Sequence, residues 1–319
     1  GDGNKSELRG ENRGENRGQK MLKSLSIYFK EMYPIVPRLI LGIIVFLEIY
    51  FILLLNYGVT DFSIGVAEFV GSFTIFCFLL ILRIADDFKD YETDKRLFPE
   101  RPLPSGRVQK RDLKILVTVL IVITCILNFI FMNNILFFLF LYTYGFLMSV
   151  WFFKKHKIQN SLPLALVTHN PVQLIMNIYI ISFTCIKYDL YPFTLTSFLV
   201  AFTLYFPALI WEISRKIRAP KDETEYTTYS KLFGYKKSVR FVLILTWVDI
   251  ITNFLLVYRL NRIAIGVLFL NIMWMTWKFV SFMKDPTQYK IVDKVERYTY
   301  IQEATMVLVV VVYLIVGYI

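Results

Sequence analysis

Apolar residues along this chain come in blocks of about twenty rather than in stripes. The blocks run roughly over 39–56, 63–85, 113–131, 135–153, 162–184, 193–213, 239–258, 263–283 and 302–319. In helical form about twenty such residues match the ~30 Å hydrocarbon layer of a bilayer. Helices of soluble proteins keep a polar stripe, and several of these blocks carry almost none. The pattern predicts an all-α polytopic membrane protein, with nine transmembrane helices around a central cavity.

The polar gaps between blocks alternate. Those centred on "NYGVTD", "MNN", "IKYDLY" and "YRLNR" are short, and the others carry the charge. Thirty-two of the 36 Lys and Arg fall in the N-terminal region and the charged gaps. Only Lys187, Arg259 and Arg262 fall on the other side, and Lys278 lies inside a block. By the excess of Lys and Arg in cytoplasmic loops, the N-terminus is expected in the cytoplasm and the C-terminus outside, in a bacterial inner membrane. The second and sixth blocks each end in a charged cluster and a long polar gap, which predicts two similar halves with a site between them.

Composition agrees with the pattern. The chain has 319 residues, 56% hydrophobic, and a mean hydropathy of +0.51, above the ~45–50% apolar content of a soluble domain. The net charge of +11 follows from the loop cations and predicts a lipid bilayer, not nucleic acid, as partner. Cys77, Cys125 and Cys185 lie in or at the ends of apolar blocks and read as packing residues. Residues 1–20, with a short RGEN repeat, form a polar tract expected to stay disordered, ahead of a transmembrane domain over 21–319. Residues 23–38 read as an amphipathic approach helix broken by Pro34 and Pro37.

The second block runs into "DDFKDYETDKRLFPERPLPSGRV". If the helix continues past Ala85, Asp86, Asp90 and Asp94 stand at i, i+4 and i+8, with Asp87 on the same face. Like charges at that spacing repel, and the C-terminal end of a helix disfavours anions. Two readings follow. One is a salt-bridged, solvated helix end, with Arg83, Lys89, Lys95 and Arg96 as partners. The other is a site for Mg²⁺, whose hard oxygen ligands are completed by substrate phosphates and whose anionic ligand is clamped by Arg and Lys. The prolines and Ser-Gly of "RPLPSGRV" present Arg101 and Arg107 on an ordered loop, which favours the second.

These residues carry a resemblance. "DDFKDYETD" followed by "RPLPSGRV" resembles the first signature of the UbiA superfamily of intramembrane prenyltransferases, Asn-Asp-x-x-Asp-x-x-x-Asp and then Arg-Pro-Leu-Pro-Ser-Gly. Asp87, Asp90 and Asp94 stand at its three Asp positions, Asp86 replaces its Asn, and Arg101 to Gly106 match its loop. The resemblance covers about residues 30–319. It implies a second acidic motif after the sixth span, where this chain has "WEISRKIRAPKDETEYTTYSKLFG". The tail is similar, but Glu212 stands where Asp is usual, and Arg215, Lys216, Arg218, Asp222 and Glu223 follow. Glu212 then either completes the metal shell with Asp222 and Glu223, or pairs with Arg215 and Lys216 on its own helix. On the first of these readings Arg215, Lys216 and Arg218 bind diphosphate. Glu225 reads as a surface residue.

The fifth block contains His169, Asn170, Gln173 and Asn177 at helical spacing, with Pro171 bending the helix. They read either as interhelical hydrogen bonds or as a cavity wall, with Asn170 and Gln173 near substrate. Tyr142, Tyr144 and Tyr205 read as packing residues that can line the same chamber, and His156 as a loop residue.

The resemblance implies Mg²⁺-dependent transfer of an isoprenyl group from an isoprenyl diphosphate to a lipophilic or aromatic acceptor. The metal would be held by Asp86, Asp87, Asp90, Asp94, Glu212 and Asp222, and the diphosphate by Arg83, Lys89, Arg101, Arg107 and the second loop's cations. Two alternatives stand beside it. A UbiA-type terpene cyclase would use the same site without an acceptor, and Asp86 leaves room for that. A transporter would place charges in mid-span, whereas the sequence shows them gathered at one face.

Overall fold

The computed structural model describes the backbone of residues 3–319 and side chains from residue 13 onward. Among the described residues every regular element is helical. Eight stretches are long and apolar enough to cross a membrane. These are α2 (Ile35–Asn56), α3 (Val66–Lys89, followed by the short α4, Tyr91–Leu97) and α5 (Lys110–Leu127), which a π-turn carries on to Met132. The fourth block forms α6 (Ile135–Ser149), only 15 residues, or about 22 Å at 1.5 Å per residue. After α7 (Lys155–Gln159), the fifth span comprises α8 (Leu162–His169) and α9 (Val172–Tyr188), and the sixth α10 (Leu195–Phe202) and α11 (Tyr205–Ser214). Following α12 (Tyr229–Phe233), the last three spans are α13 (Tyr235–Val257), α14 (Arg262–Lys284) and α15 (Ile291–Val316).

The breaks have local causes. Pro171 follows Asn170 between α8 and α9, where its missing N–H and ring interrupt the helix ladder, as the sequence predicts. Pro34 ends the approach and caps α2, whereas Pro37 lies inside the first turn of α2. First-turn N–H groups have no helical partner, so a proline costs nothing there, and the first span begins at Ile35 rather than 39.

The N-terminal tract departs from expectation. The structure carries α1 from Gly3 to Glu31 as one helix. Its C-terminal part is anchored by fully buried Tyr28 and by Ser24, so the costly nucleation step is already met there. Extending the helix through Glu, Arg, Gln and Lys costs little per residue, while Gly10, Gly14 and Gly18 each oppose it by about 1 kcal/mol.

At the centre of the bundle stands α2. Residues Ile49–Leu55 are buried on every side, against α3, α9, α10 and α15. Its approach to α3 is close at Gly71, where an added Cβ would sit 2.2 Å from the Phe46 ring; small residues let membrane helices meet in this way. By contrast α5 is peripheral, with Val122, Ile126 and the following Phe129 turned outward.

The structure corrects the expectation that charge gathers only at one face. Glu48 on α2, Asp249 on α13 and Glu303 on α15 lie within spans. Asp249 is fully buried and accepts from Tyr298 Oη at 3.0 Å and Gln302 Nε2 at 2.9 Å.

Candidate active site at the aspartate-rich helix end

Helix α3 does continue past Ala85. The Asp90 N–H donates to the Asp86 carbonyl at 2.9 Å, and the Asp94 N–H to the Asp90 carbonyl at 2.7 Å. Only a slight bend at Asp90 separates α3 from α4. The four aspartates divide into two kinds. Asp87 and Asp94 are buried, whereas Asp86 and Asp90 are exposed. Asp87 receives Tyr28 Oη at 2.5 Å and Arg83 Nη2 at 3.1 Å. Asp94 lies 3.4 Å from Arg101 Nη1. Asp86 and Asp90 make no ion pair among the described residues. Burial, and then the charge of Asp94, hold the Asp90 carboxyl above the ordinary carboxylate range.

The loop "RPLPSGRV" is ordered by its own backbone. The Ser105 N–H reaches the Arg101 carbonyl at 2.9 Å, and the Val108 N–H reaches the Pro102 carbonyl at 3.1 Å. Gly106 takes the left-handed conformation at φ +80°, which suits a residue without Cβ, and Leu103 and Val108 plug the loop into the core. Its two arginines diverge. The Arg101 guanidinium stacks 3.9 Å over the Phe98 ring beside Asp94. Arg107 is instead committed to Glu31 of α1, at 2.5 and 3.0 Å, and to the Glu100 carbonyl. In this structure it serves the loop's attachment to α1 rather than a diphosphate clamp.

Lys89 points the other way, into the end of the fourth span. Its Nζ lies 2.9 Å from His169 Nε2, donates to the Met148 carbonyl at 3.1 Å, and sits 3.9 Å over the Trp151 ring. Trp151, Phe152 and Phe153 all have positive φ. This conformation is costly for bulky residues and persists where the surroundings enforce it. Here it turns the chain sharply and brings an aromatic face onto Lys89. The other polar residues of the fifth span look to each other. Gln173 donates to Asn177 at 3.2 Å, Asn177 donates to the Ala201 carbonyl at 2.7 Å, and Asn170 Nδ2 is buried without a partner.

Hydrogen bonding to Glu212, and the charge of that carboxylate, hold the Arg215 guanidinium above its ordinary value. Glu212 takes two bonds from Arg215 at 2.8 Å and lies 3.2 Å from Lys216 Nζ, so in this structure it pairs along its own helix. Glu223 folds the loop by accepting from Thr228 at 2.7 Å and Ser230 at 2.5 Å. Asp222 is exposed, on the rim of a 390 Å³ cavity that also takes in Arg215, Arg218 and Lys290; Arg218 also reaches Thr224 Oγ1 at 3.4 Å.

The chain thus ends a membrane helix in spaced aspartates, follows it with an ordered Arg-bearing loop, and carries a second basic stretch after the sixth span. The profile of the UbiA prenyltransferase family matches residues 40–294. The chain belongs to the UbiA prenyltransferase family. It is a prenyltransferase, and both acidic loops fall inside the matched region. Its fold is also that of a solved structure of digeranylgeranylglyceryl phosphate synthase in membranes, with a TM-score of 0.62 at 17% identity, covering 91% of this chain and 98% of that one. No curated protein matches this sequence significantly.

Family membership implies Mg²⁺, and the donor set has the right chemistry: carboxylate oxygens at a solvent-reaching helix end, two of them free of ion pairs. The set is not gathered, however. Among the described residues no three Asp, Glu, His or Cys side chains converge on one point, because Asp87, Asp94 and Glu212 are each drawn to a neighbouring cation. Sequence reasoning missed Tyr28 and Trp151. Tyr28 is 59 residues from Asp87, and no local spacing connects them.

Proposed function

We propose that this UbiA-family enzyme transfers an isoprenyl group from an isoprenyl diphosphate to an acceptor within the membrane, with Mg²⁺ required. The observation that carries this reading is the helical run through Asp86, Asp90 and Asp94 into the ordered Arg101 loop, inside the region that matches the family. Asp86, Asp87, Asp90 and Asp94 would hold the metal, with Asp222 and Glu212 contributing from the second loop. When bound, Mg²⁺ would supply positive charge against a departing diphosphate. Arg101, Arg215 and Arg218 would take the outer phosphate oxygens by charge-assisted hydrogen bonds. Tyr28 and Arg83 orient Asp87 from behind.

In the reaction the carbon–oxygen bond to diphosphate breaks, and its electron pair leaves with the diphosphate. A nucleophilic atom of the acceptor then bonds to the allylic carbon and gives up its proton. The apolar bundle excludes water, which would otherwise capture the developing cation. With Lys and Arg so unequally divided between the two faces, the site is assigned to the cytoplasmic side.

The test is to incubate purified protein with a panel of isoprenyl diphosphates and candidate acceptors, with and without Mg²⁺, and to identify products by mass. Metal-dependent prenylated product is expected, and chelation should stop it. A cyclic hydrocarbon or alcohol formed without acceptor would replace this reading with a cyclase. Solute uptake without diphosphate release would replace it with a transporter.

A further inference from the structure

Outside the aspartate-rich site, α1 and the start of α5 enclose a groove of 820 Å³. It runs on, through the shared residues Arg111 and Ile115, into a 460 Å³ groove along the outer face of α5 that reaches Val119. The first part is cationic. Arg17, Lys20 and Lys23 of α1 and Arg111 of α5 line it, all exposed, and none makes an ion pair among the described residues. Arg107 also lines it but is held by Glu31, and Asp112 is the acidic side chain in the lining. Positive charge therefore exceeds negative. The second part is walled by Ile115, Thr118 and Val119, which face outward on a helix exposed to lipid.

A separate observation points to a ligand. Ser24 lines the cationic part and is 6% exposed, yet its hydroxyl has no hydrogen-bond partner. A helical serine commonly bonds the carbonyl one turn back, and this one does not. Arg17, Lys20, Ser24 and Ile27 fall at helical spacing on one face of α1, so the unpartnered donor opens toward the same space as the cations. The first turn of α5, whose N–H groups attract anions, closes the groove.

We propose that this groove binds an anionic phospholipid, its phosphate seated among Lys20, Lys23, Arg111 and Ser24 and an acyl chain lying along Ile115, Thr118 and Val119. Cations at the membrane surface attract anionic headgroups. The apolar continuation along a lipid-facing helix distinguishes a phospholipid from a free phosphate. The bound lipid would clamp α1 against the third span, and α1 carries the Tyr28 that orients Asp87.

The test uses the full chain, purified in neutral detergent and supplied with equal amounts of phosphatidylglycerol and phosphatidylcholine, with retained lipid counted by native mass spectrometry. The wild type is expected to retain phosphatidylglycerol on the order of tenfold over phosphatidylcholine. The triple variant Lys20→Gln, Lys23→Gln, Arg111→Gln should lose that preference, and Ser24→Ala should weaken it by about threefold. An unchanged thermal midpoint in detergent shows that both variants fold. Equal retention of the two lipids, undiminished preference in the triple variant, or displacement of the lipid by millimolar inorganic phosphate would overturn the proposal.

Discussion

At the polar face, Asp87 and Asp94 are buried beside Arg83 and Arg101, with Asp86 and Asp90 open to water next to them. Deep in the bundle, Glu48, Asp249 and Glu303 lie within spans, and Asp249 is set among neutral donors. Counting 1.5 Å per residue from the polar-face ends of α2, α13 and α15 places all three at about 18–21 Å, one level well inside the bilayer. Asp249 is held by Tyr298, Gln302 and Asn253, and no Lys or Arg pairs with it, with Glu48 or with Glu303 among the described residues. An ionised group there would cost several kcal/mol without a counter-charge, so the deep site suits uncharged carboxyls. The rim has cations and water, which suit charged ones. The same residue type thus stands beside counter-charges and water in one place and, at Asp249, within a neutral hydrogen-bond network in another.

Substitutions at the two levels can break this comparison. The largest effect is expected at the rim. Asp90→Ala or Asp94→Ala should lower turnover by roughly 10³-fold or more, as loss of a group that stabilises transition-state charge does, while expression and thermal midpoint hold. Undiminished turnover would remove both from the site. Asp249 should respond by shape rather than charge. Asp249→Ala strands the donors of Tyr298 and Gln302 and should cost about 1–3 kcal/mol of stability, read from the thermal midpoint in detergent. Asp249→Asn should keep turnover within about twofold; a collapse like that of Asp90→Ala would erase the distinction between the two sites.

Smaller effects sharpen it. Tyr28→Phe removes one donor from Asp87, worth about 1 kcal/mol, so turnover should fall roughly fivefold with unchanged lipid retention. If Tyr28 only packs, turnover will not move. The smallest effect concerns Glu31, whose carboxyl is held below the ordinary range by its hydrogen bonds to Arg107. A depressed carboxyl stabilises the fold above its unfolded value and loses that contribution as pH falls through the folded one. Wild type should therefore lose slightly more thermal stability than Glu31→Gln on acidification below the usual Glu range. Parallel titrations would show that the pair contributes nothing.

Much of this was legible along the chain, because a bilayer imposes a one-dimensional rule. Each span must satisfy its own backbone and present apolar side chains, so blocks of twenty can be read without knowing their neighbours. The break at Pro171, the ordered "RPLPSGRV" loop and the helical register of Asp86, Asp90 and Asp94 are likewise local, set by ring closure, turn chemistry and helix spacing. The helical state of α1 was not legible from composition, because it depends on Tyr28 being buried against distant helices.

Sequence by itself therefore determined the membrane class, the two acidic loops and the residue types available at the candidate site. Tertiary structure decided which partner each charge takes: Arg101 to Asp94 but Arg107 to Glu31, Lys89 to His169, and Glu212 to its own helix. It also revealed that Glu48, Asp249 and Glu303, scattered over three apolar blocks, stand at one level. Electrostatic partners are chosen by distance through space, falling off over a few ångströms, and spacing along the chain carries that information only within a helix turn.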